Sequence, residues 1–177
     1  MAYLSFNDVQ NLQVAESRSR QMYAEAKTAS VANSVFLSHS SADDKFVLGV
    51  VIFLRRFGVS VYIDDHDKRL PKPPNTATAA ILKDEIKKSG RFVVLVSPNS
   101  RFSRWIPWEL GLADGFKGVA PIAILPVTQV GEESEWTKEE YFGLYPRIYK
   151  SGDNWYVLDP RDGKPWTLQG WLTGTLS

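Results

Sequence analysis

A chain of 177 residues, 44% hydrophobic and 23% charged, has an ordinary globular composition and can bury a core without covalent staples, which excludes a disordered polymer. Its 21 Lys and Arg stand against 20 Asp and Glu, and a net charge of +1 offers no electrostatic hold on nucleic acid or an anionic membrane surface. The absence of cysteine removes disulfides, thiolate nucleophiles and cysteine-based zinc sites together, and suits a reducing cytoplasm.

Residues 5–29 read as a helix. Ser5 is placed to cap it, and Val9, Leu12, Ala15, Met22 and Ala26 recur at three- and four-residue steps among charges. So thin a stripe fits a helix docked on the main domain or a self-association surface. A short linker, 30–33, follows. Val35-Phe36-Leu37 is then a compact apolar run ending in Ser38-His39-Ser40-Ser41, and 43–57 has helical periodicity through Phe46, Val50, Leu54 and Phe57. Ser41 with Asp44 resembles a capping box, and Gly58 behind Arg55 and Arg56 is a fitting stop. Residues 59–63 form the next strand, and the polar, proline-rich segment 64–75 reads as a surface loop.

A second helix spans 76–88, with Ile81, Leu82 and Ile86 facing inward and Gly90 behind it. Residues 91–96 are a nearly all-apolar strand of the kind a parallel sheet covered on both faces requires. After the turn Ser97-Pro98-Asn99-Ser100, Ser103 is placed to cap a third helix that ends near 115–118, and 121–127 is a fourth strand. Four strands alternating with three helices over about 95 residues predict right-handed β-α-β crossovers and a doubly wound α/β sheet. Beyond 130 the pattern changes. A short helix over 136–144, a hairpin pairing 147–149 with 155–158, and a last helical turn through Trp166, Leu168 and Trp171 are expected, and four of the six tryptophans lie in this tail. The expected division is an N-terminal helix and linker (1–32), the main domain (33–130) and a C-terminal extension packed on it (131–177).

The third helix carries the chemistry. Trp105 and Glu109 stand four residues apart, hence on one face, and set a carboxylate beside an aromatic plate where a strand hands over to a helix, the usual place for a ligand crevice in an open α/β sheet. The plainer account is that an acid in a helix's first turn is favoured by the macrodipole and that tryptophans fill cores. Other chemistries lack their fingerprints: no G-x-G-x-x-G follows a strand, no Walker motif and no G-x-S-x-G elbow occurs, and His39 and His66 are the only histidines. Asp64, Asp65 and Asp67 lie in a proline-rich loop and fit solvated charges better than a magnesium cage, so no metal site is expected. The longest apolar runs, 46–54 and 119–127, fall far short of the roughly 20 residues of a membrane span, and no basic-then-apolar leader opens the chain. A cytoplasmic protein with no membrane or nucleic-acid partner is expected.

Taken together, Val35-Phe36-Leu37-Ser38-His39-Ser40-Ser41-Ala42-Asp43-Asp44, the strand end Val61-Tyr62-Ile63-Asp64-Asp65, the run Phe92 to Ser100 and the Trp105 to Glu109 motif resemble a Toll/interleukin-1 receptor (TIR) domain over about 33–127. The lack of a death domain, leucine-rich repeats or a membrane span makes the chain similar to small bacterial TIR proteins, including those of Thoeris-type antiphage defence. The resemblance implies a flavodoxin-like parallel sheet wrapped by helices. It implies cleavage of NAD, as substrate rather than cofactor, at the nicotinamide-ribose bond, giving nicotinamide with ADP-ribose or a cyclic ADP-ribose signal that activates a separate effector.

By the same resemblance Glu109 corresponds to the catalytic glutamate and Trp105 to a tryptophan beside the substrate. Ser38, His39, Ser40 and Asp64 would bind substrate, and 64–75 matches the loop through which the family self-associates and gates its site. Ile106-Pro107-Trp108 and the Trp-rich tail depart from the family pattern. One carboxylate suffices for this chemistry, because nicotinamide leaves as a neutral ring and needs no general acid, unlike an ordinary glycoside. The competing expectations are a non-catalytic TIR scaffold acting by self-association and a nucleotide or flavin carrier of the same fold.

Overall fold

The computed structural model describes residues 1–15, 34–64, 67–129 and 140–175. In chain order the elements are β1 (Leu4–Ser5), α1 (Phe6–Ala15), β2 (Ser34–Ser38), α2 (Asp44–Arg55), β3 (Ser60–Tyr62), α3 (Thr76–Lys88), β4 (Arg91–Val96), α4 (Trp105–Lys117), β5 (Ile122–Thr128), β6 (Arg147–Ser151), β7 (Asn154–Leu158), β8 (Pro165–Thr167) and α5 (Leu168–Thr173). One sheet runs in the order β3-β2-β4-β5-β6-β7-β8. Its first five members are parallel; β6, β7 and β8 then alternate in direction. Stepping outward on both sides of β2 makes the sheet doubly wound, as the strand-helix alternation predicts, in the flavodoxin-like order that the TIR resemblance implies.

Strand periodicity explains the two layers. Val35 and Leu37 of β2, Val93 and Leu95 of β4, and Ala123 and Leu125 of β5 join Val9, Phe46, Val50 and Leu54 in one core. Their neighbours Phe36, Phe92, Val94, Val96, Ile122 and Ile124 join Leu82, Ile86, Ile106, Leu110 and Ala113 in the other. Alternate side chains thus point to opposite faces, α1 and α2 covering one and α3 and α4 the other. Each fully buried Val, Leu, Ile or Phe contributes about 1.5–3 kcal/mol. β1 adds a short parallel pairing on the free end of β5, Leu4 opposite Val127, and Ala2 bridges Lys150 of β6.

Local signals act much as the residues require, with three shifts. Ser5 and Asp8 close α1 reciprocally, Asp8 N–H donating to Ser5 Oγ and Ser5 N–H to Asp8 Oδ2, each at 3.0 Å. The remainder of the helix expected over 5–29 lies outside the described residues, as does much of the one expected over 136–144, where Glu140–Leu144 forms a 3-10 turn. Ser41 and Asp44 form no capping box: Ser40 caps a 3-10 turn, Ser41–Asp43, and α2 begins at Asp44. Asp43 occupies the cap position of α2 without capping, because its carboxylate is engaged by Ser97 and Asn99. Arg104, not Ser103, is the N-cap of α4, although Ser103 Oγ accepts from the Ile106 N–H at 3.3 Å. Among the described residues no helix is long and apolar enough to cross a membrane.

Candidate active site

β2 and β4 both deliver their carboxyl ends to the same edge of the sheet, and the loops that follow build a cleft there. At the end of β2 Ser38 is 1% exposed, and its hydroxyl donates to Glu109 Oε2 at 2.5 Å. Glu109 is itself 2% exposed. It is the fifth residue of α4, and the first turn of that helix carries no acid. The macrodipole account of a first-turn acid therefore does not explain it. Taking a carboxyl group out of water is costly, and a buried one facing a strand end beside a cleft is a functional-site signature.

The cleft holds about 540 Å³. His39 and Ser40 form one wall, Asp64, Asp67, Leu70 and Lys72 a second, and Phe102 and Trp105 a third. Trp105 is 38% exposed at the mouth and meets the Trp108 ring edge-on, centroids 5.3 Å apart. Four residues of helix advance about 6 Å, so the exposed indole stands at the opening while Glu109, one turn further along α4, is buried against Ser38, the residue before His39. His39 Nε2 is 3.5 Å from Asp44 Oδ1, and its Nδ1 is 4.0 Å from Asp64 Oδ1.

Of the six residues singled out from sequence, four, His39, Ser40, Asp64 and Trp105, thus share one cleft wall system, while Ser38 and Glu109 touch each other just behind it. The expectation that Asp67 is a solvated loop charge is overturned. Asp67 is 6% exposed and accepts from Tyr62 Oη at 2.9 Å and from the Arg69 N–H at 2.9 Å, with the Arg69 guanidinium forked onto both of its oxygens. Hydrogen bonds from Arg69, ahead of the opposing effect of burial, hold its pKa down at about 2. Burial first, then the Asp67 hydrogen bond, pushes the Tyr62 hydroxyl up. Arg69 also donates to Glu85 Oε1 of α3 at 2.7 Å, so this flank of the cleft is tied to the helix beneath it.

Sequence reasoning missed a second anchor. Asp43 is 0% exposed and accepts from Ser97 Oγ and Asn99 Nδ2, each at 2.7 Å, joining the loop after β2 to the loop after β4. A signal was present: Asp43 lies in helical register with Phe46, Val50 and Leu54, the buried stripe of α2. Among the described residues no group of three or more His, Asp or Glu is arranged to hold a metal ion.

Comparison with known proteins gives three results. A sequence model of the TIR domain matches residues 35–146. A protein of Bacillus cereus (strain MSX-D12) named "Probable 3' cyclic ADP-D-ribose synthase ThsB'" is 38% identical over 118 residues, covering 66% of this chain and 60% of that protein. The chain thus spans about three fifths of the length of that relative. Among solved structures, the TIR domains of the activated Roq1 resistosome directly recognizing the pathogen effector XopQ are 28% identical, with a TM-score of 0.38, over 54% of this chain and 56% of that one.

Proposed function

This chain belongs to the TIR domain family, and we propose on that premise that it cleaves NAD at the nicotinamide-ribose bond, with Glu109 as the catalytic residue. The observation that carries the reading is the Glu109 carboxyl group, buried at the strand ends in the grip of Ser38 and beside a cleft faced by Trp105. As the bond from the anomeric carbon to the pyridinium nitrogen breaks, its electron pair neutralises the ring and positive charge develops on the sugar. An anion at Glu109 stabilises that charge and accepts hydrogen bonds from the ribose hydroxyls. Ser38 holds one carboxylate oxygen in place until a sugar hydroxyl takes over its donor role.

The cation is then captured by water, which loses a proton and gives ADP-ribose, or by a nucleophile within the same molecule, which gives a cyclic ADP-ribose. A cyclic product agrees with the name of the Bacillus relative, and Trp105, by stacking on a flat group and excluding water, favours internal capture. His39, Ser40 and Asp64 then contact substrate from the facing walls. A diffusible cyclic product fits a cytoplasmic signal to a separate effector in antiphage defence. The 64–75 loop, of which Asp64, Asp67, Leu70 and Lys72 wall the cleft, is the surface through which copies associate.

Purified protein mixed with NAD and assayed for nicotinamide, alone and at concentrations that promote assembly, tests this directly. Glu109→Gln is expected to lower turnover on the order of a hundredfold or more, the effect of losing one preorganised electrostatic contact. Near-normal release by a folded Glu109→Gln variant would falsify the assignment. The scaffold reading draws on one observation, that Glu109 stands behind the cleft wall rather than in it. It predicts no nicotinamide even from assembled protein.

A further inference from the structure

A second cavity, of about 230 Å³, opens at the opposite pole of the sheet. Its walls include Arg91 at the start of β4, Pro121 and Pro146 just ahead of β5 and β6, and Trp166, Trp171 and Gly174 from the tail. The length of β4 separates it from the cleft by roughly 17 Å. It is smaller than the roughly 300–1,000 Å³ of sites for drug-sized ligands and admits one ring system.

The walls combine aromatic surface with a cation that meets no carboxylate of the described residues. Trp171 is 4% exposed and fixed by its Nε1–H, which donates to the Ala120 carbonyl at 2.9 Å. The Arg91 guanidinium lies over that indole, 5.4 Å from its centroid. Arg91 Nε donates to the Trp171 carbonyl at 2.5 Å and Nη1 to the Gly90 carbonyl at 3.0 Å, both neutral acceptors. Among the described residues Arg91 has no carboxylate partner, and Nη2 donates to none of the acceptors there. The one acid among the described residues of the wall, Asp159, is occupied, since Arg161 Nε donates to both of its oxygens.

Two further features keep Nη2 approachable and its charge in demand. Gly174 has φ +74°, and a Cβ there would stand 3.3 Å from Nη2, so the bare backbone leaves the approach open. Lys117 nearby is likewise bonded only to carbonyls, those of Lys87 and Ser89, and burial lowers the pKa of both cations. A partly desolvated guanidinium with a spare N–H edge gains most from an anion that brings its own hydrogen-bond acceptors. Trp166, 39% exposed, offers its ring at the mouth.

We propose that this cavity is a second binding site, for a small aromatic carboxylate whose ring packs on Trp166 and whose carboxylate meets Arg91 Nη2. The proposal is independent of the NAD chemistry at the other pole. Calorimetric titration of the full chain with indole-3-acetate, neutral indole and acetate tests it. Indole-3-acetate should bind saturably and at least tenfold more tightly than either fragment, because ring and charge are both read. Arg91→Gln should abolish that advantage, Trp166→Ala should weaken binding on the order of tenfold, and Glu109→Gln should leave it unchanged. If Arg91→Gln fails to fold, Gly174→Ala, which crowds Nη2, should weaken binding in its place. Equal affinity for the three compounds, full binding by a folded Arg91→Gln variant, or loss of binding in Glu109→Gln would each overturn the proposal.

Discussion

Ser38 and Glu109 lie 71 positions apart and share a hydrogen bond because β2 ends where α4 turns its inner face to the sheet. Asp43 does the same for two loops, and its replacement isolates that effect. Asp43→Asn keeps the shape but replaces the carboxylate by a neutral amide with a single acceptor oxygen, so both charge-assisted bonds are weakened and one must reverse or be lost inside a buried site. A loss of about 1–3 kcal/mol is expected in urea denaturation, with nicotinamide release falling further than the folded fraction accounts for, because both loops flank the cleft. Asp67 makes a pH prediction. Its pKa drops from 3.8 to about 2 on folding, so the unfolded chain holds more protons within that window. The stabilisation is therefore complete above the window and disappears as pH falls through it. A contribution of about 1–2 kcal/mol is expected, solvent at the half-exposed Arg69 screening the upper figure. Denaturation midpoints of Asp67→Asn should decline less than those of the parent chain between pH 4 and 2.

The spacing of Trp105 and Glu109 on one helix face was legible in the sequence, while Ser38, His39, Ser40 and Asp64 came from the family resemblance; the fold brings His39, Ser40, Asp64 and Trp105 to one cleft and Ser38 into contact with Glu109. Asp67 was not legible, because a loop sequence gives no hint that Tyr62, Arg69 and Glu85 converge on one acid.

At the scale of elements, β4 and β5 were readable because a strand buried on both faces is apolar throughout, whereas two helix starts moved, by two residues at α2 and by one at α4. Asp43 is bonded across the site rather than to its own helix, and so α2 begins later than a capping box implies. Gly49 shows what periodicity cannot reveal. A Cβ on this residue of α2 would fall 2.3 Å from the Val9 carbonyl oxygen of α1, so the two helices approach backbone to backbone. Gly49→Ala must push α1 outward from the core containing Val9. A destabilisation of about 1–3 kcal/mol is expected from such overpacking, visible as a lower melting temperature. An unchanged melting temperature would mean that α1 is not held at this distance in solution.

For the molecule as a whole, alternation of strands and helices foretold a doubly wound parallel sheet, because short right-handed crossovers leave few arrangements open. What it did not foretell was that the tail would lengthen the same sheet through β6, β7 and β8, since a single parallel pair, Ile124 opposite Arg147, makes that join. The pairing of β1 carries a practical consequence. Ala2 and Leu4 rivet the amino terminus to both β6 and β5 at once, so the opening residues serve as a clasp across the single-pair join through which the tail hairpin attaches to the sheet. Trimming residues 1–5 should loosen the hairpin as well as the edge of β5, detectable as faster amide exchange at Ile148 and Val127 together. Protein engineers seeking an attachment point would do better at the exposed turn around Gly152.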